Sequence, residues 1–328
     1  MVLTKRQNLL ETIRGGNPDR YVNQYEALGL VIVNPISASS PYPFQPGETA
    51  VDSWGVTHTF EPGTPGPFPV MDEDHKVLKD ITQWREAVKA PNLIFPEEMW
   101  AGMKAQFVDT IDRNEQFITS FHPVGLFERS HYLMDIQDCL MNFYEEPEEM
   151  HALLDYITEW EIGYAEQVCS HYHVDAVLFH DDWGTQKSSF MSPAMFEEFF
   201  LERYKKIYGT YRKNGVELII HHSDSYAANL VPYMIEMGID VWQGCLTTNG
   251  LPALIKQYGG QISFMGGIDN GIVDRIDWTQ EKIDEHVQNI CGSCGKHYYI
   301  PCMCAGMPGS AHPGVYEAVS KAIAEQKF

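Results

Sequence analysis

Five apolar runs in this sequence end in side chains that can bind metal, move protons or hold a polar ligand. Ile118-Thr119-Ser120-Phe121 ends at His122, and Val177-Leu178-Phe179 ends at His180-Asp181-Asp182-Trp183-Gly184. Leu218-Ile219-Ile220 ends at His221-His222-Ser223-Asp224. Ile262-Ser263-Phe264-Met265 runs into Gly266-Gly267-Ile268-Asp269, and Tyr298-Tyr299-Ile300 into Pro301-Cys302-Met303-Cys304. One such residue alone reads as a helix cap or a loop hydrogen bond; five such ends together read as a convergent polar site. His180, Asp182 and His222 offer imidazole and carboxylate for proton transfer and are the candidate catalytic residues. His222-x-Asp224 also places two ligand types on one segment, and Cys304 or Cys302 can approach from the last strand. Imidazole, carboxylate and thiolate with one open position suit catalytic zinc. The other reading is that His222 simply donates a hydrogen bond to substrate. Cys291-x-x-Cys294 is half a zinc site with no second CxxC, and reads as two structural thiols. Met134, Met141 and Met150 read as core fillers, and Glu145–Glu149 as a solvated helix start.

Regular elements must position these ends. Short β-branched or aromatic runs occur at Gln116–Phe121, Ala176–His180, Val216–His222, Val241–Gly244, Gln261–Gly266 and His297–Met303. Between them lie amphipathic stretches of helical length at 133–143, 147–170, 193–213, 226–236 and 279–290. Strands apolar on both faces, alternating with helices, indicate a parallel sheet covered by helices. Ser192-Pro193 marks one helix start, with a stripe of Phe196, Phe200, Tyr204, Ile207 and Tyr211 and a stop at Asn214-Gly215. A doubly wound sheet announces a Gly-rich phosphate turn after its first strand; Gly259-Gly260 and Gly266-Gly267 do not fit that spacing. The prediction is a (β/α)8 TIM barrel, whose chemistry sits at the C-terminal ends of the strands. Residues 1–75 form an N-terminal extension: a helix over 4–15, then an apolar stretch from Val22 to Val33. A Pro-, Gly- and Ser-rich segment over 34–75 follows, too long for an idle connector. No repeat or linker divides the 328 residues, so 1–328 reads as a single domain.

Bulk properties exclude some partners. A formal charge of −22 argues against a nucleic-acid surface, which needs clustered Lys and Arg, and against docking on an anionic membrane. No apolar run approaches the roughly 18 residues that span a bilayer. Met1 to Gln7 is polar with no apolar leader core, and seven Cys form an odd set, so the expectation is a cytoplasmic chain with reduced thiols.

Several motifs carry a family resemblance. Thr4-Lys5-Arg6, Asn17-Pro18-Asp19-Arg20 and Asp52-x-Trp54-Gly55-Val56 resemble the opening of the uroporphyrinogen decarboxylase superfamily. So do Pro123-Val124-Gly125-Leu126-Phe127-Glu128-Arg129, His222-Ser223-Asp224 and Phe264-Met265-Gly266-Gly267-Ile268-Asp269. Asp181-Asp182-Trp183-Gly184-Thr185-Gln186 with Ser192-Pro193 is similar to its corrinoid methyltransferase branch. The decarboxylases of that superfamily carry Arg-Gln-Ala-Gly-Arg near the N-terminus. The corresponding Tyr21–Leu28 stretch here has no arginine, and none of the nine arginines lies at a strand end. A polyanionic tetrapyrrole needs such cations.

The resemblance then implies methyl transfer to or from a cobalt corrinoid carried by a separate protein. Its thiol-methylating members hold zinc with His-x-Cys and a distant Cys. Here Asp224 falls where that Cys would be, and Cys304 lies near the distant position. A carboxylate in place of a thiolate makes the zinc harder and more Lewis-acidic, which suits an ether oxygen. The implied reaction is O-demethylation of a small methylated donor, an aryl methyl ether, onto Co(I). In this scheme His222, Asp224 and Cys304 hold zinc, while His122, His180 and Asp182 line the donor pocket. Tyr25, Phe127 and Trp183 flank the donor's ring, Asp181 and Asp269 add polar contacts, and residues 36–70 close the mouth or meet the corrinoid protein. Methanol, methylamine or thiol donors, porphyrinogen decarboxylation, and a non-catalytic tetrapyrrole-binding barrel are the alternatives. A homodimer is compatible with the chain.

Overall fold

The computed structural model describes residues 2–64 and 66–328. Ten strands occur in chain order: β1 Leu28–Val31, β2 Thr49–Val51, β3 Thr57–Thr59, β4 Phe68–Pro69, β5 Phe117–His122, β6 Ala176–His180, β7 Leu218–His222, β8 Val241–Cys245, β9 Ser263–Ile268 and β10 Tyr299–Met303. Seven pair in parallel in the order β1-β5-β6-β7-β8-β9-β10 and curl into a barrel-like sheet, with helices on its outside. Each crossover is long enough for a helix, as parallel pairing demands.

The eightfold ring expected from the sequence is present as seven paired strands. Among the described residues the one backbone hydrogen bond between the two edges is that of Gln24, whose N–H donates to Pro301 O at 3.2 Å. Its Oε1 accepts from Met303 N at 3.3 Å. Gln24 has a left-handed φ of 51°, and the N–H groups of Glu26 and Leu28 turn back onto Asn23 and Tyr25. Those turns use the donors that an extra strand would need.

Side chains alternate across each strand, and the parity is consistent around the sheet. Phe117, Phe121, Ala176, Leu178, Leu218, Ile220, Val241, Met265 and Ile300 fill the interior with Leu9, Val22 and Tyr25. Ile118, Val177, Phe179, Ile219, Trp242, Phe264 and Tyr299 face outward and pack against the helices. Fully burying one such side chain stabilises by roughly 1.5–3 kcal/mol.

The helices start as their residues dictate. Thr4 closes a capping box over helix Lys5–Ile13, and Ser192 caps the helix begun by Pro193. The latter is interrupted: a π-turn over Glu197–Leu201 separates Pro193–Phe196 from Glu202–Lys213, adding a residue to the turn and burying Phe199 beside Phe200. The stretch expected as one helix at 133–143 is two, Leu126–Met134 and Ile136–Glu145, broken at Asp135 with φ 83°.

The segment 34–75 is more ordered than its composition suggests. Asn34 caps a turn of helix at Pro35–Ala38, and β2-β3-β4 form a small antiparallel sheet. Pro65 lies outside the described residues. No helix among the described residues is long and apolar enough to cross a membrane.

Candidate active site

The site begins with strand register. His180 on β6 pairs with His222 on β7, and His222 with Gln243 on β8. All three share the inward parity, so they form one row across the interior face. The two imidazoles stack with centroids 4.3 Å apart and planes at 27°.

Each ring is held by its Nδ1. His180 Nδ1 donates to Glu128 Oε2 at 2.9 Å. His222 Nδ1 donates to Gln243 Oε1. The Gln243 amide is oriented by its own Nε2, which donates to the Ala305 carbonyl at 3.2 Å, so its oxygen faces His222. That leaves the proton of His222 on Nδ1 and the lone pair on Nε2. Neither Nε2 makes a hydrogen bond among the described residues, although His222 is only 1% exposed.

Asp182 completes the group. Its Oδ1 accepts from Asp224 N at 2.8 Å and lies 3.9 Å from His222 Nε2. One ligand atom each from His180, Asp182 and His222 lies within 4.8 Å of the others. Gly306, in the loop after β10, covers the pair: a Cβ there would lie 2.8 Å from His180 Cδ2 and 3.2 Å from both Nε2 atoms. Only a glycine leaves that space open.

The charges follow from the contacts. Burial alone would lower the pKa of His180, but Glu128 outweighs it, and with Asp182 and Asp224 it raises the group to about 10. Burial, then the charge of His180, lowers His222 to about 4, so it is neutral. Asp224 is exposed at the strand ends, yet desolvation among its neighbours and then Asp182 push it up to about 8. No lysine or arginine among the described residues pairs with Glu128, Asp182, Asp224 or Asp269. The nearby Arg129 is committed to Asp52, at 3.1 Å.

Other residues singled out in the sequence lie elsewhere. His122 has the outward parity, because Phe121 before it points in. It is 2% exposed, stacks on Phe179 and donates from Nε2 to Val124 O at 3.0 Å, with Glu161 Oε2 2.9 Å away, turned away from the His180 cluster. Phe127 and Trp183 are fully buried in the outer core, so neither flanks a pocket; Trp183 stacks on His221 and donates to Tyr204. Asp181 is buried and accepts from the Phe127 and Glu128 N–H groups, pinning the helix that carries Glu128. Tyr25 is inside the barrel, but its hydroxyl donates to Ala305 O at 2.8 Å, and its ring is 4% exposed. It therefore holds the loop bearing Gly306. Asp269 caps the turn Asn270–Val273 at the rim. Cys304 is buried with its thiol toward Cys245 O at 3.6 Å, and neither it nor Asp224 joins the ligand group. The side chains whose ligand atoms the structure brings together therefore differ from the set expected from sequence: His222 belongs to both, and His180 and Asp182 rather than Asp224 and Cys304 lie beside it.

The sequence pattern does not single out Glu128, Gln243, Tyr132 or Gly306. Gln243 had a signal, since it ends an apolar run as His180 and His222 do. Glu128 sits on a helix and Gly306 in a loop, and nothing in their spacing marks them. A separate cleft of about 640 Å³ opens on the flank beside β1, between Tyr25, Leu30, Phe107 and Tyr316. Its one acidic or basic lining residue is Glu26, so it lacks the chemistry gathered at the strand ends.

Two comparisons with known proteins bear on the chain. Residues 124–326 match the uroporphyrinogen decarboxylase (URO-D) family. The whole structure resembles that of a methyltransferase from Methanosarcina mazei, with a TM-score of 0.65, 14% identity, and coverage of 98% of this chain and 99% of the other. At that identity the likeness speaks for the fold alone. No curated protein matches the sequence.

Proposed function

The chain belongs to the uroporphyrinogen decarboxylase family, and on that premise we propose that it is a methyltransferase rather than a decarboxylase. It moves a methyl group from an aryl methyl ether to the Co(I) corrinoid of a partner protein. The observation that carries this reading is the pair of stacked imidazoles whose Nε2 atoms, free of hydrogen bonds, face Asp182 in a site lined by carboxylates and lacking arginine. An octaanionic tetrapyrrole would meet repulsion there, whereas a neutral ether would not. The likeness to a methyltransferase fold supports the choice.

In the transfer the methyl carbon bonds to cobalt, using the electron pair of Co(I). The C–O pair stays on the donor oxygen, which leaves as a phenol once it takes a proton. Asp224, exposed and with its carboxyl raised to about 8, is the candidate source of that proton.

The residues also fit zinc. His180, Asp182 and His222 would hold it, with the unpartnered Nε2 of His222 and the space under Gly306 left for it. A bound zinc supplies Lewis acidity to the donor oxygen. Gln243 keeps the Nδ1 proton of His222 in place, which fixes its ring and tautomer, while Glu128 fixes the His180 ring, whose Nε2 proton would leave as the metal binds.

The test is a visible spectrum. Mixing the protein with Co(I) corrinoid protein and methoxyarenes should yield methylated Co(III). No change with any ether, together with decarboxylation of a porphyrinogen, would overturn the reading. Metal analysis of fresh protein and of His222→Ala tests the zinc separately: wild type should hold one equivalent and the variant none.

A further inference from the structure

With Phe127 and Trp183 sealed in the outer core and Tyr25 turned to the Ala305 carbonyl, the donor's ring needs another recognition surface. One stands at the mouth, where the ordered segment after β1 meets the helix Leu126–Met134. Tyr132, on that helix, donates its hydroxyl to Glu128 Oε1 at 3.3 Å. The other oxygen of the same carboxylate holds His180. The Tyr132 ring is therefore one side chain removed from the catalytic imidazole.

His58, on β3, sets its ring edge-on to Tyr132, with centroids 6.1 Å apart. Tyr42 packs against the other side of His58 at 5.6 Å. His58 is buried, Tyr132 is half-buried and Tyr42 is 44% exposed. Tyr42 also packs edge-on to Phe44, with centroids 5.7 Å apart. The group is rigid at its base. Asp52 accepts from His58 Nε2 at 3.2 Å and from Arg129 at 3.1 Å, and Arg129 lies over the Trp54 ring.

Two tyrosines against a buried imidazole, one 44% exposed and one half-buried beside Glu128, suit a flat aromatic guest. Aromatic pairs prefer offset or edge-to-face contacts at centroid distances of roughly 4.5–7 Å, and a methanol- or methylamine-sized donor has no ring to make them. We infer that Tyr42, His58 and Tyr132 form the subsite for the aromatic ring of the methyl donor, and that they set the enzyme's preference for aryl over small aliphatic donors. This rests on the methyltransferase reading above.

The experiment measures binding and turnover separately, with methoxybenzene as the aryl probe and methanol as the aliphatic one. Calorimetry on the purified protein should show methoxybenzene binding that weakens about tenfold in Tyr132→Leu and in Tyr42→Leu. Tyr132→Phe, which keeps the ring and loses the hydroxyl, should bind as wild type does. In the transfer assay Tyr42→Leu, which leaves the Tyr132–Glu128 hydrogen bond in place, should raise KM for methoxybenzene and spare kcat, because ring contacts are made equally in ground and transition states. Any turnover of methanol by Tyr42→Leu should be unchanged. Undetectable binding by wild type, or leucine variants with unaltered Kd and KM and an unaltered melting temperature, would overturn the inference. If methoxybenzene binds with this dependence but no methyl reaches cobalt, the ring subsite stands and the methyltransferase reading fails. If transfer proceeds and the leucine variants change nothing, the reverse holds.

Discussion

The chemistry of this site depends on which nitrogen of each histidine carries the proton. Gln243 decides that for His222, since its amide is pinned by the Ala305 carbonyl. Gln243→Leu should therefore weaken zinc binding by about 10–100-fold in a chelator competition, while Gln243→Glu, which can still accept, should retain it. Gly306→Ala tests the space itself. The added methyl would sit 3.2 Å from both Nε2 atoms, so metal content should fall sharply with little change in melting temperature. A pH dependence follows from Glu128. His180 is raised from its ordinary value near 6.5 to about 10, so its contribution to stability is full below about pH 6.5 and disappears as the pH rises through 10. The melting temperature of metal-stripped protein should fall across that window, and Glu128→Gln should flatten the fall. Asp224, raised to about 8, acts in the same sense at lower pH.

At the scale of elements, one helix serves two tasks through successive residues. Glu128 holds His180, and Arg129, 7% exposed, holds Asp52 at the base of the small sheet. Asp52→Asn leaves a buried guanidinium without its counter-charge, a loss of about 3–5 kcal/mol. Proteolysis should then cut within residues 49–70 sooner than in wild type. The strands of the large sheet were legible in sequence because burial on both faces writes them as apolar runs. The same property hides parity: nothing in Ile118–His122 says which alternate residues face inward, and His122 falls on the outer face. His180 and His222 share the inner parity, and only pairing reveals that they meet. The helix over 193–213 was legible, but not its π-turn, since phenylalanines at 196, 199 and 200 satisfy either winding. The sheet inside 34–75 escaped because its strands are two or three residues long, too short for any period to register. The polar cluster is only partly legible: His222 ends an apolar run in the sequence, but that His180 and Asp182 are its neighbours emerges only once β6 lies beside β7.

Across the whole molecule, all seven cysteines are free and buried. They lie in strands of the large sheet, in the loop after β10 and on the inner faces of helices, so a thiol reagent should label none quickly in native protein. Slow labelling should track global unfolding, with the same denaturant dependence as loss of circular dichroism. The order in which the molecule can be completed is written into the bridge at Gln24. Residue 24 finds its partners at Pro301, Met303 and Ser320, nearly the full length of the chain away. A nascent chain that has emerged through β8 already possesses His180, Asp182, His222 and Gln243. It has neither the seam nor the Gly306 loop. The seam at Pro301 and Met303 and the roof at Gly306 thus both come from chain that follows β8, so the row of His180, His222 and Gln243 is laid down before either of its covers.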